Sequence, residues 1–191
     1  MIVFEQTWTI HAFIAGKAFP MTTKQAYAKL NLHQEFIPAG ASNRPGRALK
    51  IEFITIHNTD NSAPGANAKA HARYMNGDDA RRRNVSWHYT VDDKETYKHL
   101  PLAEQGFHAG TSLGNQVSVG IEICQHQGID QDAANDRAAL LVALLMRTYD
   151  IPIEHVVPHK HWSGKQCPRL LLAHWDEFIA KIIVLRDSLE A

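Results

Sequence analysis

The sequence predicts an α/β fold: a single domain in which a central mixed β-sheet is flanked by helices. Three observations carry that reading. Ile51–His57 and Val117–Cys124 are short apolar runs rich in β-branched residues, with the length and composition of buried strands. Asp130–Tyr149 repeats Ala134, Ala138, Leu141, Leu145 and Tyr149 at helical spacing. Strand-like and helical segments alternate along 191 residues, a length that one core serves without division.

Taken in order, residues 1–34 read as an N-terminal extension. Within it Thr22 or Thr23 caps a short helix through Leu30, with Tyr27 and Leu30 as its apolar contacts. Residues 35–48 contain Pro38, Gly40, Pro45 and Gly46 and form an extended arm with turns, either a plain linker or a segment lying along a groove wall. The first strand then ends on His57, and ends of central strands are where α/β sheets place their sites. Ala66–Met75 has helical composition, Asp78–Asn84 reads as a polar loop, and Ser86–Asp92 is a second strand. Asp92-Asp93-Lys94 gives turn chemistry, with Glu95–Leu100 returning as a hairpin partner. Gly106–Gln116 is a glycine-rich loop, and on the third strand Glu122 shares a face with Gly120 and Cys124. The long helix starts at Asp130, whose charge suits a helix amino end, and stops before Pro152. Val156-Val157-Pro158 leads into a loop, and a last helix covers roughly Leu171–Leu189.

Bulk composition excludes several classes. A formal net charge of zero argues against nucleic acid, whose phosphates require a basic surface. Arg81-Arg82-Arg83 is the one strong basic run and reads as a solvated turn. Two cysteines cannot build a disulfide framework. No apolar run reaches the ~18 residues of a membrane span. Met1–Pro20 carries Glu5 and His11 and lacks a basic start, so it makes a poor signal peptide.

The chemistry concentrates in Pro158-His159-Lys160-His161-Trp162-Ser163-Gly164-Lys165-Gln166-Cys167-Pro168. Imidazole nitrogen and thiolate sulfur are the ligands zinc prefers. With His57 at its strand end, His159 and Cys167 make three protein ligands, which leaves the fourth tetrahedral position of one Zn2+ open to water, the layout of a catalytic site. Lys165 can project to the same side as Cys167 if that segment is extended. Glu122, on an apolar strand, needs a partner or a task, and a water beside a metal provides one. The bland alternatives are a surface loop with solvated histidines, and a Glu122 paired with an arginine.

Four blocks together resemble a known family. They are Phe53-Ile54-Thr55-Ile56-His57-Asn58-Thr59, Ser86-Trp87-His88-Tyr89-Thr90-Val91-Asp92-Asp93, Gly120-Ile121-Glu122-Ile123-Cys124, and His159 to Pro168. In this order, over roughly residues 36–180, the chain resembles the zinc-dependent type-2 N-acetylmuramoyl-L-alanine amidases. The last block is most similar to their autolysin and endolysin branch, and the wider family includes the phage lysozyme-like amidases and the peptidoglycan recognition proteins. The resemblance implies an amidase catalytic domain over 35–191, with the zinc site at one edge of a groove. It also implies His57, His159 and Cys167 as metal ligands, the family's spacing of seven residues between its second and third ligands favouring His159 over His161. Glu122 becomes the catalytic acid–base and Lys165 the loop lysine. His108, in the Phe107–Gly110 match, is placed in the peptide groove, with Trp87 and Asn58 beside it as substrate contacts. Trp87 stands where the phage-lysozyme branch has a catalytic tyrosine, so the acid–base work falls to Glu122, and Tyr89 takes no role. His88 reads as a packed strand histidine and Cys124 as a small core residue.

The implied activity is hydrolysis of the amide between N-acetylmuramic acid and L-alanine in peptidoglycan or a muropeptide, by a monomer acting on the cell wall. Phage lysis or a dedicated secretion route would deliver it. A peptidoglycan-binding module without catalysis is the alternative, and a structural zinc protein, which would want a fourth protein ligand, ranks behind both. No separate wall-binding unit is read after the last helix, which leaves targeting to the groove, to the N-terminal arm or to a longer parent protein.

Overall fold

A computed structural model of the chain describes residues 20–190. In chain order its elements are β1 (Met21–Thr22), α1 (Thr23–Leu30), β2 (Leu32–Gln34), β3 (Phe53–Asn58), α2 (Ala68–Met75), α3 (Asp78–Arg83), β4 (Tyr89–Val91) and β5 (Thr96–Lys98). They continue with α4 (Ser112–Val117), β6 (Ser118–Ile123), α5 (Gln131–Tyr149), β7 (Val156–Pro158), α6 (Lys160–Ser163), α7 (Trp175–Ser188) and β8 (Leu189–Glu190). Six strands form one mixed sheet in the order β2-β5-β4-β6-β3-β7, antiparallel only between β4 and β5. β1 and β8 pair separately, in parallel.

The two faces of the sheet have opposite chemistry. Side chains alternate along a strand. Ile54 and Ile56 on β3, Tyr89 and Val91 on β4, and Val119, Ile121 and Ile123 on β6 join one buried cluster with α1, α5 and α7. The intervening positions, Thr55 and His57, Thr90, and Ser118, Gly120 and Glu122, therefore look the other way. Parallel pairing sets His57 opposite Glu122 and Thr55 opposite Gly120. The apolar face holds the sheet and the polar face holds the site.

Most predicted elements form where the sequence places them, with their caps. Thr22 and Gln25 make a reciprocal capping box at α1. Asp130 accepts from Ala133 N to start α5. Asp92 has two duties: its Oδ1 takes the amides of Lys94 and Glu95 in the hairpin turn, and its Oδ2 takes Ala68 N at the start of α2.

Several expectations need correction. Asp78–Arg83 is a helix and not a loop, because Asp78 and Asp79 sit in its first turn and the three arginines in its last, complementing the helix dipole. Asp78–Arg81 and Asp79–Arg82 also pair along it. Part of the glycine-rich loop is likewise helical, as α4 capped by Thr111. Tyr27 is exposed, so the contacts of α1 are Ala26 and Leu30, both fully buried. Of the N-terminal extension, α1 joins the main core and β2 pairs with β5. Residues 1–19, including most of the segment weighed as a signal peptide, lie outside the described residues. No described helix is long and apolar enough to cross a membrane.

The polar face buries histidines in neutral form. His88 accepts from Gly120 N at Nδ1 and donates to the Glu104 carbonyl at Nε2, and burial lowers its pKa to about 4. His99 lies 2.8 Å from Thr90 Oγ1 and is pushed to about 3, again by burial first. Both folded values lie below the unfolded one, so below pH ~6.5 the unfolded chain binds protons that the folded chain refuses. The contribution of these two histidines should therefore be full above pH ~6.5 and fall towards pH ~4, by up to about 1.4 kcal/mol per pH unit for each. Urea unfolding with chelator present at pH 7 and pH 5 checks this: the midpoint should drop sharply at pH 5, and an unchanged midpoint would contradict it.

Candidate metal centre

Neighbouring strands deliver the site. His57 is the penultimate residue of β3. His159 follows β7 directly, and its amide donates to the Ile56 carbonyl, extending the β3–β7 pairing by one step. The chain then turns through α6 and comes back, where Lys160 N donates to the Cys167 carbonyl and closes the loop. Cys167 Sγ ends 3.8 Å from His57 Nδ1. The ligand atoms of His57, His159 and Cys167 all lie within 4.8 Å of one another, and all three residues are buried.

Indole chemistry pins that loop. Trp162 Nε1 donates to Thr55 Oγ1 (2.8 Å), Thr55 Oγ1 donates to Ser118 Oγ (2.8 Å), and Ser118 Oγ donates to the Gly114 carbonyl (2.6 Å). The indole packs edge-on against Phe53 and closes on Gly114, where an added Cβ would come within 2.8 Å of it. Asn115 Oδ1 holds the other wall, accepting from His108 N and Ala109 N. None of Thr55, Asn115, Ser118 or Trp162 stands out in the sequence as a site residue, and the bonds from Thr55 to Ser118 and Trp162 span 63 and 107 positions.

Donor chemistry fits a zinc ion. A tetrahedral N–Zn–S angle with ordinary bond lengths separates the two ligand atoms by about 3.6 Å, close to the 3.8 Å between His57 Nδ1 and Cys167 Sγ. His159 Nδ1 and Glu122 Oε2 are buried without hydrogen-bond partners. Glu122 Oε1 lies 3.9 Å from His57 Nδ1. Burial raises the Glu122 carboxyl to about 8, against the pull of the Lys165 ammonium. Burial raises the Cys167 thiol to about 11, with Glu122 adding to it and the Asn58 amide opposing it. Burial, with His108 and His159 adding to it, holds His57 far below its usual value. This pocket of destabilised anions and neutral imidazoles is what a bound divalent cation relieves.

The expected residues sort as follows. His57, His159, Glu122 and Lys165 line a cleft of about 1140 Å³, and Cys167 Sγ lies 3.8 Å from His57 Nδ1. His161, the competing ligand, is exposed and stacks over Phe53. Trp87 lines the cleft beside Tyr74, with its Nε1 donating to Thr90. His108 lines it too, but both its ring nitrogens are taken by His57 and the Ser118 carbonyl. Asn58 is buried, its Oδ1 accepts from Leu170 N, securing the chain after Cys167, and it is not among the residues lining the cleft. Tyr89 is buried in the core, Cys124 packs in a small cluster beneath α2, and no residue of the 35–48 arm lines the cleft.

The N-acetylmuramoyl-L-alanine amidase family profile matches residues 47–170. The chain is 52% identical to the N-acetylmuramoyl-L-alanine amidase XlyA of Bacillus subtilis (strain 168) over 155 residues, which are 80% of this chain and 51% of that protein. It is 46% identical to CwlH of the same organism over 153 residues, 78% of this chain and 60% of that protein. The chain thus spans about half the length of the curated relatives it matches. Among solved structures, a mutant endolysin from Bacillus subtilis superposes with a TM-score of 0.77 at 52% identity, covering 80% of this chain and 99% of that one.

The Trp162–Thr55 clasp predicts a stability effect separate from chemistry. Thr55→Val keeps the shape and removes the acceptor of the indole N–H, which should cost about 1–2 kcal/mol. Urea unfolding should show a lower midpoint at an unchanged slope, and a midpoint equal to that of the parent would rule out the clasp.

Proposed function

The chain belongs to the N-acetylmuramoyl-L-alanine amidase family, and on that footing we propose that it is a zinc hydrolase of the cell wall. It cuts the amide joining the lactyl group of N-acetylmuramic acid to the L-alanine of the stem peptide. The observation that carries this reading is the convergence of two imidazole nitrogens and a thiol within 4.8 Å, next to a half-buried glutamate. All these groups come from one chain, in keeping with action as a monomer.

His57, His159 and Cys167 would hold one Zn2+, and when bound the ion polarises a carbonyl and lowers the pKa of an adjacent water towards ~7. The remaining work belongs to the chain. Glu122 accepts a proton from the attacking water as its oxygen bonds to the lactyl carbonyl carbon. The same carboxyl then returns the proton to the alanine nitrogen as the C–N bond breaks, leaving a carboxylate on the sugar and a free amine on the peptide. A cation beside Glu122 favours its carboxylate form, as the first step requires. Lys165, exposed at the lip of the cleft, offers its ammonium to the oxyanion, and losing such a donor typically costs ~100-fold or more. Trp87 and Tyr74, stacked with ring centroids 6.3 Å apart, extend the cleft beyond the metal and give the substrate an apolar wall.

Digestion of purified peptidoglycan, with and without a zinc chelator, tests the proposal by mass spectrometry. Stem peptides with a free L-alanine amine should accumulate and should vanish with chelator. Intact sacculi that pellet with the protein would instead make it a binding module. Glu122→Ala should keep zinc and fold while turnover falls by at least about 100-fold. Cys167→Ala should lose the zinc itself, read as metal content after dialysis.

A further inference from the structure

His57 has two ring nitrogens, and only one can face a metal. Its Nδ1 looks into the donor cluster, 3.8 Å from Cys167 Sγ and 3.9 Å from Glu122 Oε1. Its Nε2 lies 3.1 Å from Nδ1 of His108. His108 Nε2 in turn lies 3.2 Å from the Ser118 carbonyl oxygen. A carbonyl only accepts, so His108 Nε2 carries the hydrogen. A neutral imidazole has one N–H, which leaves His108 Nδ1 bare and able only to accept. His57 Nε2 must then be the donor, and the lone pair of His57 is left on Nδ1, towards Cys167. His159 likewise has a buried Nδ1 with no hydrogen-bond partner.

The relay needs the His108 ring to lie against the sheet, and Gly120 makes the room. A Cβ at Gly120 would stand 2.7 Å from both Cγ and Nδ1 of His108, closer than side chains ever pack. A glycine inside a strand often marks such a close approach. Gly120 sits two residues before Glu122 on the same face of β6, so one strand supplies both the carboxylate and the gap.

We propose that His108 is a positioning residue that fixes which nitrogen of His57 faces the metal, and that Gly120 is the gap in β6 that admits its ring. This rests on the reading of His57 as a zinc ligand. Outer partners of metal-bound histidines commonly set ring orientation and metal affinity.

The test measures Zn2+ affinity of the metal-free protein by competition with a chromophoric chelator. His108→Ala should raise the Kd by about 10- to 100-fold. His108→Asn, whose Oδ1 can stand in for Nδ1 as acceptor, should recover most of that loss. Gly120→Ala, with every histidine intact, should weaken binding much as His108→Ala does. Side-chain 15N spectra of the metal-free parent should show His57 as the Nε2–H tautomer. An affinity of His108→Ala equal to the parent's, a His108→Asn as weak as His108→Ala, or an Nδ1–H tautomer in parent His57 would each overturn the relay. Parent-like affinity in Gly120→Ala would overturn the part assigned to Gly120. If the parent binds no stoichiometric zinc, or Cys167→Ala binds it as the parent does, the metal reading itself falls and the relay with it.

Discussion

Everything at the site hangs on the register of β3 against β6. The strands run parallel with Ile54 beside Val119, Ile56 beside Ile121 and His57 beside Glu122. Those isoleucines and valines are fully buried against α5, and burying each is worth about 1.5–3 kcal/mol. A slip of one residue would turn the whole apolar set to the cleft and His57 to the core. The hydrophobic face thus fixes the polar face, and the imidazole and the carboxylate meet because the residues behind them cannot be elsewhere. β7 then docks on the free side of β3 and brings His159 to the same end.

The polar face carries the cost. His57, His88, His99 and His108 are almost wholly enclosed, Glu122 has a buried oxygen with no partner, and the Cys167 thiol is pushed up by burial. Buried polar groups are tolerable when they are bonded, and most of these are. His88 bridges Gly120 and Glu104, and His108 bridges His57 and Ser118. His159 Nδ1 and Glu122 Oε2 lack partners at the candidate metal centre, and His99 Nδ1 lacks one away from it. Departures from local satisfaction are common at functional sites, and the pair at the candidate centre faces the place a divalent cation and a water would take.

Much of this was legible in the sequence. Ile51–His57 and Val117–Cys124 announce themselves by β-branched runs, and Asp130–Tyr149 by its period and cap, because in each a strong local preference agrees with the fold. The grouping of His57, His159 and Cys167 was legible because zinc chemistry restricts residue types. What was not legible depends on long-range placement. Asp78–Arg83 looks like a solvated loop until its charges are set against a helix dipole. Asn58 looks like a groove residue, yet packing spends its Oδ1 on Leu170 N, and His108 lines the cleft with its ring nitrogens directed to His57 and the Ser118 carbonyl. Gly120 reads as one small residue in a strand; only the ring lying on it explains the absence of a side chain.

The most direct measurement of the central claim is anomalous diffraction at the zinc absorption edge from crystals of the zinc-loaded protein. The account predicts a single strong peak bonded to Nδ1 of His57, Nδ1 of His159 and Sγ of Cys167, with Glu122 facing it from β6. A peak bonded to Nε2 of His57, a peak involving His161, or none at this end of the sheet would contradict it.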